Sequence, residues 1–419
     1  MSQSNIPPSA AGGANTKTAS VRARAERVVV VGAGPVGLTT AWLLHQAGVP
    51  VTVLEKNAGV QEDYRASTFH APTLDLLEES GITDALEGMG LKCPVFQYRG
   101  WAEGKVAEFD HGLLRGLTRH PWRLQCEQYK LSAHLDAALR AQSSESVCSS
   151  HSVTGLQQDE DGVTLQVQTP QGEHSLRADW VIAADGGRST VRKLLDIPFE
   201  GKTYPDRILV MGTPFEFPSL FSDLSLVNYV SDPGNYAHIL RIPDLWRISL
   251  PLTDATPDSV ALSDDYILGR LRALMPQIGT PEIPVRGVYT AHQRVAARYR
   301  QGRVFLAGDA AHLNNPKGGM GLNGGLHDAI SLARRLADVW HGRRDASELD
   351  GYEPQRRPEA MNAILRQTEE NVKNLQSDAS QREEVFARYR KMAADPEAAL
   401  RHLMQTSMLA SLKRCGMLQ

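Results

Sequence analysis

The chain has 419 residues, of which 42% are hydrophobic and 22% charged, and a formal net charge of −3. That length exceeds the roughly 250–300 residues that one core serves, so two or more packed units are expected. The near-neutral balance argues against a nucleic-acid partner, and no apolar run reaches the roughly 18 residues of a membrane span.

The opening MSQSNIPPSAAGGANTKTAS is rich in Ser, Ala, Gly and Pro, so residues 1–25 are expected to form a mobile tail, neither a signal peptide nor a membrane anchor. Cys93, Cys126, Cys148 and Cys415 stand far apart. That spacing suggests no metal site and no disulfide framework, and it fits a reducing, cytoplasmic location.

Next comes RVVVVGAGPVGLTTAWLLHQAGVPVTVLEK. The β-branched run Val28 to Val31 predicts a buried parallel strand. Helical periodicity predicts a helix over 36–47, stopped by Gly48, and VPVTVLEK predicts a second strand ending at Glu55. Between the first strand and the helix lie Gly32, Gly34, Pro35, Val36 and Gly37, with GxGxxG spacing. The first glycine permits a tight turn, the second lets a pyrophosphate approach the backbone, and the third lets helix and strand pack closely. Glu55, followed by Lys56, is the acid about 20 residues into such a unit that hydrogen-bonds an adenosine ribose. An acid there disfavours a 2′-phosphate, so FAD or NAD is expected in this slot over NADP.

Four later segments follow in order. DYRASTFHAPTLDLLEESGI holds Arg65, and CEQYKLSAHL (126–135) reads as a helix carrying Gln128 in a Q-x-x-L pattern. ADWVIAADGGRSTVRKLLDI (178–197) is a buried strand running into Asp185-Gly186, with Arg188, Ser189 and Arg192 beyond. GRVFLAGDAAH ends a strand, Val304 to Ala307, at Gly308-Asp309, and the glycine-rich NNPKGGMGLNGG then opens a helix.

Together, from about Arg27 to Ala333, these segments resemble the single-component (class A) flavoprotein aromatic hydroxylases, FAD monooxygenases with the para-hydroxybenzoate hydroxylase fold. The resemblance implies that Arg65 contacts the pyrophosphate side of FAD and that Gln128 contacts the flavin. It implies that the Asp185 turn lies near the pyrophosphate and serves both FAD and the nicotinamide cofactor, and that Asp309 takes a ribityl hydroxyl. Pro316, with Asn315 in place of the first proline of the family's Pro-Pro pair, would stand beside flavin C4a, with Lys317 as an added charge. Gly319, Gly321, Leu322 and Asn323 match the family's backbone-amide cradle at the pyrimidine edge of the ring. At a helix N-terminus such amides stabilise an anionic reduced flavin. No second complete GxGxxG unit is found, which favours transient binding of NADH or NADPH.

The middle of the chain contains LVNYVSDPGNYAHILRIPDLWRISLPL, with turn chemistry at Asp232-Pro233-Gly234-Asn235 and Pro243-Asp244 and alternating flanks. It suits the family's antiparallel substrate sheet. Alternation puts Tyr236, His238 and Leu240 on one face and Ala237, Ile239 and Arg241 on the other, while Arg247 and Ser249 share a face of the next strand. Tyr229, Tyr236, His238, Arg241, Arg247 and Ser249 could hydrogen-bond a phenol or carboxylate. His238 and Arg247 are the candidates for the chemistry, and Arg294 could equally sit near the flavin.

The expected fold is α/β. A Rossmann-type FAD-binding domain (26–95, 121–200 and 286–365) is interleaved with an antiparallel-sheet substrate domain (96–120 and 201–285), and a C-terminal helical segment (366–419) follows. A break in the helical pattern is expected around Gly351–Pro358, and the C-terminal helices are expected to cover the flavin domain or to form a homodimer contact. The implied function is hydroxylation of a small aromatic, phenolic or N-heteroaromatic, with NAD(P)H and O2 through a flavin C4a-hydroperoxide. Epoxidation, halogenation or reduction on the same fold, or flavin binding without turnover, are the alternatives. The halogenase segment GWxWxIP is not present, since Gly100-Trp101 continues as Ala-Glu-Gly-Lys.

Overall fold

The computed structural model describes residues 27–64, 66–232, 235–252, 255–315, 318–364, 370, 373–374 and 379–418. The expected tail 1–25, the candidate site residues Arg65 and Pro316, Lys317, and the turn residues Pro233 and Gly234 lie outside the described residues.

Val28–Val31 forms the middle of a six-stranded sheet, because a β-branched run with no polar side chain is stable only with both faces covered. It pairs in parallel with Val51–Glu55 and Trp180–Ala183. Val147–Ser149 and Val304–Leu306 extend the parallel pairing, and Arg300–Gln301 adds an antiparallel edge. One core unites this sheet with the helix Pro35–Gln46 (Leu38, Leu44), the helix Met320–Trp340 (Leu326, Ile330) and the meander 152–178 (Val163, Leu165). At Gly32, φ is +106° and a Cβ would lie 2.8 Å from the Ala184 carbonyl carbon. Only glycine lets the first loop turn so close to the neighbouring strand end.

A second sheet of eight strands runs in the order His312–Leu313, Val285–Ala296, Phe199–Thr213, Trp246–Leu252, Ala237–Arg241, Val227–Val230, Val95–Gly100, Gly104–Asp110. All neighbours are antiparallel except Val227–Val230 beside Val95–Gly100. One face buries Leu209, Met211, Ile239, Ile248 and Leu250 against the helix Asp264–Leu274. Val285–Ala296 belongs to this sheet, although residues from 286 onward were expected in the flavin domain. It forms a long ribbon with Phe199–Thr213, from Gly212 opposite Val285 to Phe199 opposite Ala296, which runs past the expected boundary.

The chain passes between the two sheets at a decisive place. Val304–Leu306 ends in the turn Gly308–Ala310, and His312–Leu313 then pairs with Arg294 and Val295 at the edge of the large sheet. Asp309 therefore sits where the sheets meet.

The break expected around Gly351–Pro358 falls ahead of it: the helix Met320–Trp340 ends, and a 3-10 turn at Ala346–Gly351 leads into the next helix. Tyr352–Glu359 is helical with Pro358 inside it, followed by a π-helical turn over Ala360–Ile364. Tertiary contacts outweigh the proline: the Tyr352 hydroxyl donates to the Leu306 carbonyl at 2.8 Å, and Arg356 reaches Asp328. The helices Ala379–Ala394, Pro396–Thr406 and Leu409–Arg414 place Phe386, Tyr389, Leu403 and Leu409 on Phe96, Tyr98 and Phe109 of the large sheet.

Candidate active site

Two adjoining cavities lie between the sheets. One, of about 410 Å³, opens over the carboxyl ends of the parallel strands. The other, of about 1080 Å³, is roofed by the large sheet. Lys56, Gln128, Asp185, Gly186, Arg188, Asp309 and Leu322 line both, so the two form one continuous cleft.

The smaller cavity is built on the first loop. Gly32, Gly34, Pro35 and Val36 line it, whereas Gly37 packs against the Gly32 carbonyl instead. The helix Pro35–Gln46 has Gly34 as its N-cap with no side-chain cap, so its first amides are left for a ligand. Glu55 lines the same cavity. Its carboxylate accepts the Ala33 amide at 2.8 Å and the Asn57 amide at 2.8 Å, which fixes it beside the loop with lone pairs to spare. Gln128, at the start of the helix Gln128–Gln142, donates to Asp63 at 2.6 Å.

Asp185 caps the short helix Thr190–Leu194: its Oδ2 accepts the Thr190 amide at 2.7 Å and the Val191 amide at 3.2 Å. Its Oδ1 is buried and has no hydrogen-bond partner among the described residues. Arg192 instead acts within the scaffold, donating to the Ala310 carbonyl at 2.8 Å and the Gly187 carbonyl at 2.9 Å.

The two glycine-rich loops pack on each other. Gly308 has φ +60°, and a Cβ on it would come within 2.9 Å of Val36 Cγ2. Gly319 and Gly321, with Leu322, line the larger cavity at the start of the helix Met320–Trp340, which also has no side-chain cap. Asn323 is placed differently. It is wholly buried and its side chain is spent: Nδ2 donates to the Thr68 carbonyl (2.8 Å) and the Gly319 carbonyl (2.7 Å), and Oδ1 accepts from the His70 amide and Thr73 Oγ1, both at 2.8 Å. Only its backbone could face the cleft.

On the large sheet, Tyr229 stands opposite His238, and Leu240 opposite Arg247, in adjacent strands. All four line the larger cavity. Arg241, one residue out of phase, points to the other face, where it pairs with Glu216 at 3.2 Å. Burial pulls the Arg247 guanidinium below its ordinary value, while Tyr289, Asp63 and Tyr229 act in the opposite sense. Arg294 and His292 line the same cavity, and burial lowers the His292 pKa, aided by Arg294 and Arg188.

Two groups near the cleft escaped sequence reasoning. Asp328 is fully buried and accepts the Gly308 amide at 3.1 Å, His312 Nε2 at 2.8 Å and Arg356 Nε at 2.8 Å, which holds the Gly-Asp turn from behind. Arg123, in the strand Arg123–Gln125, is likewise buried. Its only sequence signal is a charge inside a short run that pairs on both sides.

Comparison with known proteins agrees with this architecture. Residues 25–367 match a family model described as an FAD binding domain. The chain is 36% identical over 339 residues to a para-nitrophenol 4-monooxygenase from a Pseudomonas strain, covering 79% of this chain and 82% of that protein. It is 32% identical to a 6-hydroxy-3-succinoylpyridine 3-monooxygenase from Pseudomonas putida, covering 84% and 89% respectively. The crystal structure of a p-nitrophenol 4-monooxygenase from Pseudomonas putida superposes with a TM-score of 0.87 at 34% identity, covering 92% of this chain and 98% of that one.

Proposed function

The chain belongs to the class A FAD-dependent aromatic hydroxylases, and on that premise we propose that its cleft holds FAD along its floor and a phenolic or N-heteroaromatic substrate under the large sheet. It is an FAD-dependent monooxygenase of aromatic compounds, with NAD(P)H as reductant and O2 as co-substrate. The observation that carries the assignment is the continuity of the two cavities. One runs from the GxGxxG loop past Asp309 into the other, whose far wall bears His238, Arg247, Tyr229 and Tyr289.

The residues present fit the cofactor. The buried, unpartnered Oδ1 of Asp185 and the uncapped amides of two helix N-termini all border the cleft and call for an extended polar ligand. We assign the pyrophosphate to Gly32, Gly34, Pro35, Val36 and the Asp185 turn, with Gly37 keeping the helix close beneath them, the adenosine ribose to Glu55 and Lys56, a flavin contact to Gln128, and the ribityl chain to Gly308 and Asp309. The ring edge falls to Gly319, Gly321, Leu322 and the Asn323 backbone. Arg65 and Pro316 keep the roles that the family resemblance implies.

When bound, FAD supplies the redox and oxygen-transfer chemistry. The protein's own residues bind and orient the ring of the substrate. Leu240, Val288, Leu313 and Phe199 line its cavity with apolar surface and displace water, while Arg247 and His238 supply charge and hydrogen bonds for a ring hydroxyl. The two named relatives act on a phenol and a hydroxypyridine, and we extend that substrate class to this chain. Four free cysteines are in keeping with a cytoplasmic enzyme. A homodimer formed through the C-terminal helices belongs to the same reading.

The test is direct. The purified protein is expected to be yellow, and its oxidation of NADH or NADPH should accelerate several-fold on addition of 4-nitrophenol or a hydroxypyridine, with O2 uptake and a product one oxygen heavier by mass spectrometry. A yellow protein whose O2 consumption no phenol or hydroxypyridine stimulates would overturn the substrate assignment.

A further inference from the structure

On the face of the large sheet turned away from the cleft lies a separate cavity of about 320 Å³. Its walls include Trp101, Leu220, Phe221 and Leu224, and its floor is Val230 and Ile239. Among the described residues it shares no lining side chain with the cleft. Strand alternation explains the separation: Tyr229 and His238, the chain neighbours of Val230 and Ile239, line the larger cavity on the opposite face. A cavity of this size stands at the lower end of the roughly 300–1,000 Å³ of small-molecule sites, which suits a single substituted ring.

Arg99 reaches into this wall and is 4% exposed. Its Nη1 donates to Gln97 Oε1 at 2.6 Å and to the Asp223 carbonyl at 3.4 Å, and its Nη2 donates to Asp223 Oδ1 at 2.7 Å. Gln97 is buried and anchored in turn, with Nε2 donating to Glu108 at 2.7 Å and to the Asp223 carbonyl at 2.8 Å. These bonds occupy the Nη1–Nη2 end of the guanidinium. Nε and the second Nη2 hydrogen share the adjoining edge, and no described residue accepts from them. That edge matches the two oxygens of a carboxylate. Gly104 leaves it uncovered: φ is +68°, and a Cβ there would stand 4.0 Å from Nη2.

The charges around the pocket balance before any ligand arrives. The bond from Arg99 holds the half-exposed Asp223 below the usual carboxylate value, and Lys105 pairs with Glu108 at 3.7 Å. The Trp101 indole is fixed by its Nε1, which donates to the Asn235 carbonyl at 2.9 Å. A held indole beside Phe221 offers flat apolar surface to a ring. We propose that this cavity is a second small-molecule site, which takes a one-ring aromatic carboxylate with its ring against Trp101 and Phe221 and its oxygens on the Nε–Nη2 edge of Arg99. The site stands on Arg99 and its aromatic wall alone and does not depend on what the cleft hydroxylates.

The test uses the FAD-loaded protein labelled with 5-fluorotryptophan, with benzoate as probe and fluorine NMR as readout. The chain has six tryptophans, and the resonance lost in Trp101→Phe identifies Trp101. Benzoate should shift that resonance saturably. Benzamide, of the same shape but uncharged, should bind about 10- to 100-fold more weakly, the loss expected for a hydrogen bond to a charged group. Cyclohexanecarboxylate, which keeps the charge without the flat ring, should bind several-fold more weakly. Arg99→Lys keeps the charge but loses the fork and should weaken benzoate about 10-fold. Asp223→Asn removes the carboxylate that shares the guanidinium and should tighten benzoate several-fold. If Arg99→Lys does not fold, the half-exposed Asp223→Asn carries the charge comparison. Leu224→Trp fills the cavity and should abolish the Trp101 response, which separates this site from benzoate bound in the cleft. A Trp101 resonance that benzoate does not move in the wild type, equal affinities for benzoate and benzamide, or a response that survives in Leu224→Trp would overturn the proposal.

Discussion

Three donors converge on the fully buried Asp328: the Gly308 amide, His312 and Arg356. Burial alone would raise this carboxyl, but the charges and hydrogen bonds of His312 and Arg356 outweigh it and hold the group below the usual carboxylate value. A carboxyl depressed in the folded state contributes stability at every pH above its unfolded value. That contribution is lost as pH falls through the lower folded value, so the effect lies on the acid side and not near neutrality. Asp328→Ala leaves Arg356 buried without its counter-ion and is expected to cost about 3–5 kcal/mol in urea unfolding at pH 7. It should also flatten the acid limb of the stability–pH curve; an unchanged acid limb would show that the ion pair contributes nothing in the folded state. Asp309 was legible in the sequence because Gly-Asp at a strand end is a local pattern. Asp328 was not, because His312 and Arg356 come to it from 16 and 28 residues away. Arg123 was hidden for a related reason: strand alternation implies a polar face open to water, and here the large sheet covers that face.

The helix Met320–Trp340 begins at Gly319, whose φ is +68° and which supplies no side-chain cap. Asn323 does the anchoring from within the first turn, bonding back to Gly319 and across to Thr68, His70 and Thr73. It thereby holds the helix terminus against the strand Thr68–Phe69 and the helix Ala71–Leu77. Asn323→Ala strands several buried donors and acceptors and is expected to cost about 2–4 kcal/mol, since each orphaned group costs about 1–3 kcal/mol. Because the amides proposed to lie beside the flavin ring hang on that anchor, dialysed Asn323→Ala should retain less FAD than wild type. Full retention would show that the helix terminus is held by its other contacts. At this scale the sequence was informative wherever periodicity and turn chemistry agreed. The strands Val28–Val31 and Val51–Glu55 and the helix between them lie within a residue or two of their expected limits. It was less informative where a distant partner decides the outcome, as in the ribbon Val285–Ala296 and the helix that continues through Pro358.

Across the whole molecule, the cleft and the C-terminal helices are separable. No described residue after Leu322 lines either cavity. The helices Ala379–Ala394 and Pro396–Thr406 instead complete a separate aromatic core, in which Tyr389 stacks on Tyr98 with ring centres 3.8 Å apart and planes 10° apart. Tyr98 in turn lies 5.7 Å from the ring of Tyr229, which does line the cleft. The route from the helices Ala379–Ala394 and Pro396–Thr406 to the site therefore runs through the proposed substrate wall, whereas Met408, Leu412 and Met417 reach the core of the parallel sheet and Arg356. Tyr389→Ala empties a buried ring position and is expected to cost about 3–5 kcal/mol in thermal or urea unfolding. Freed from its stacking partner, Tyr98 no longer braces Tyr229, so KM for a phenolic substrate should rise. The ratio of FAD to protein after dialysis should stay at the wild-type value. If flavin content falls in step with substrate affinity, the outer helices act on the whole cleft, and the separation between wall and floor does not hold.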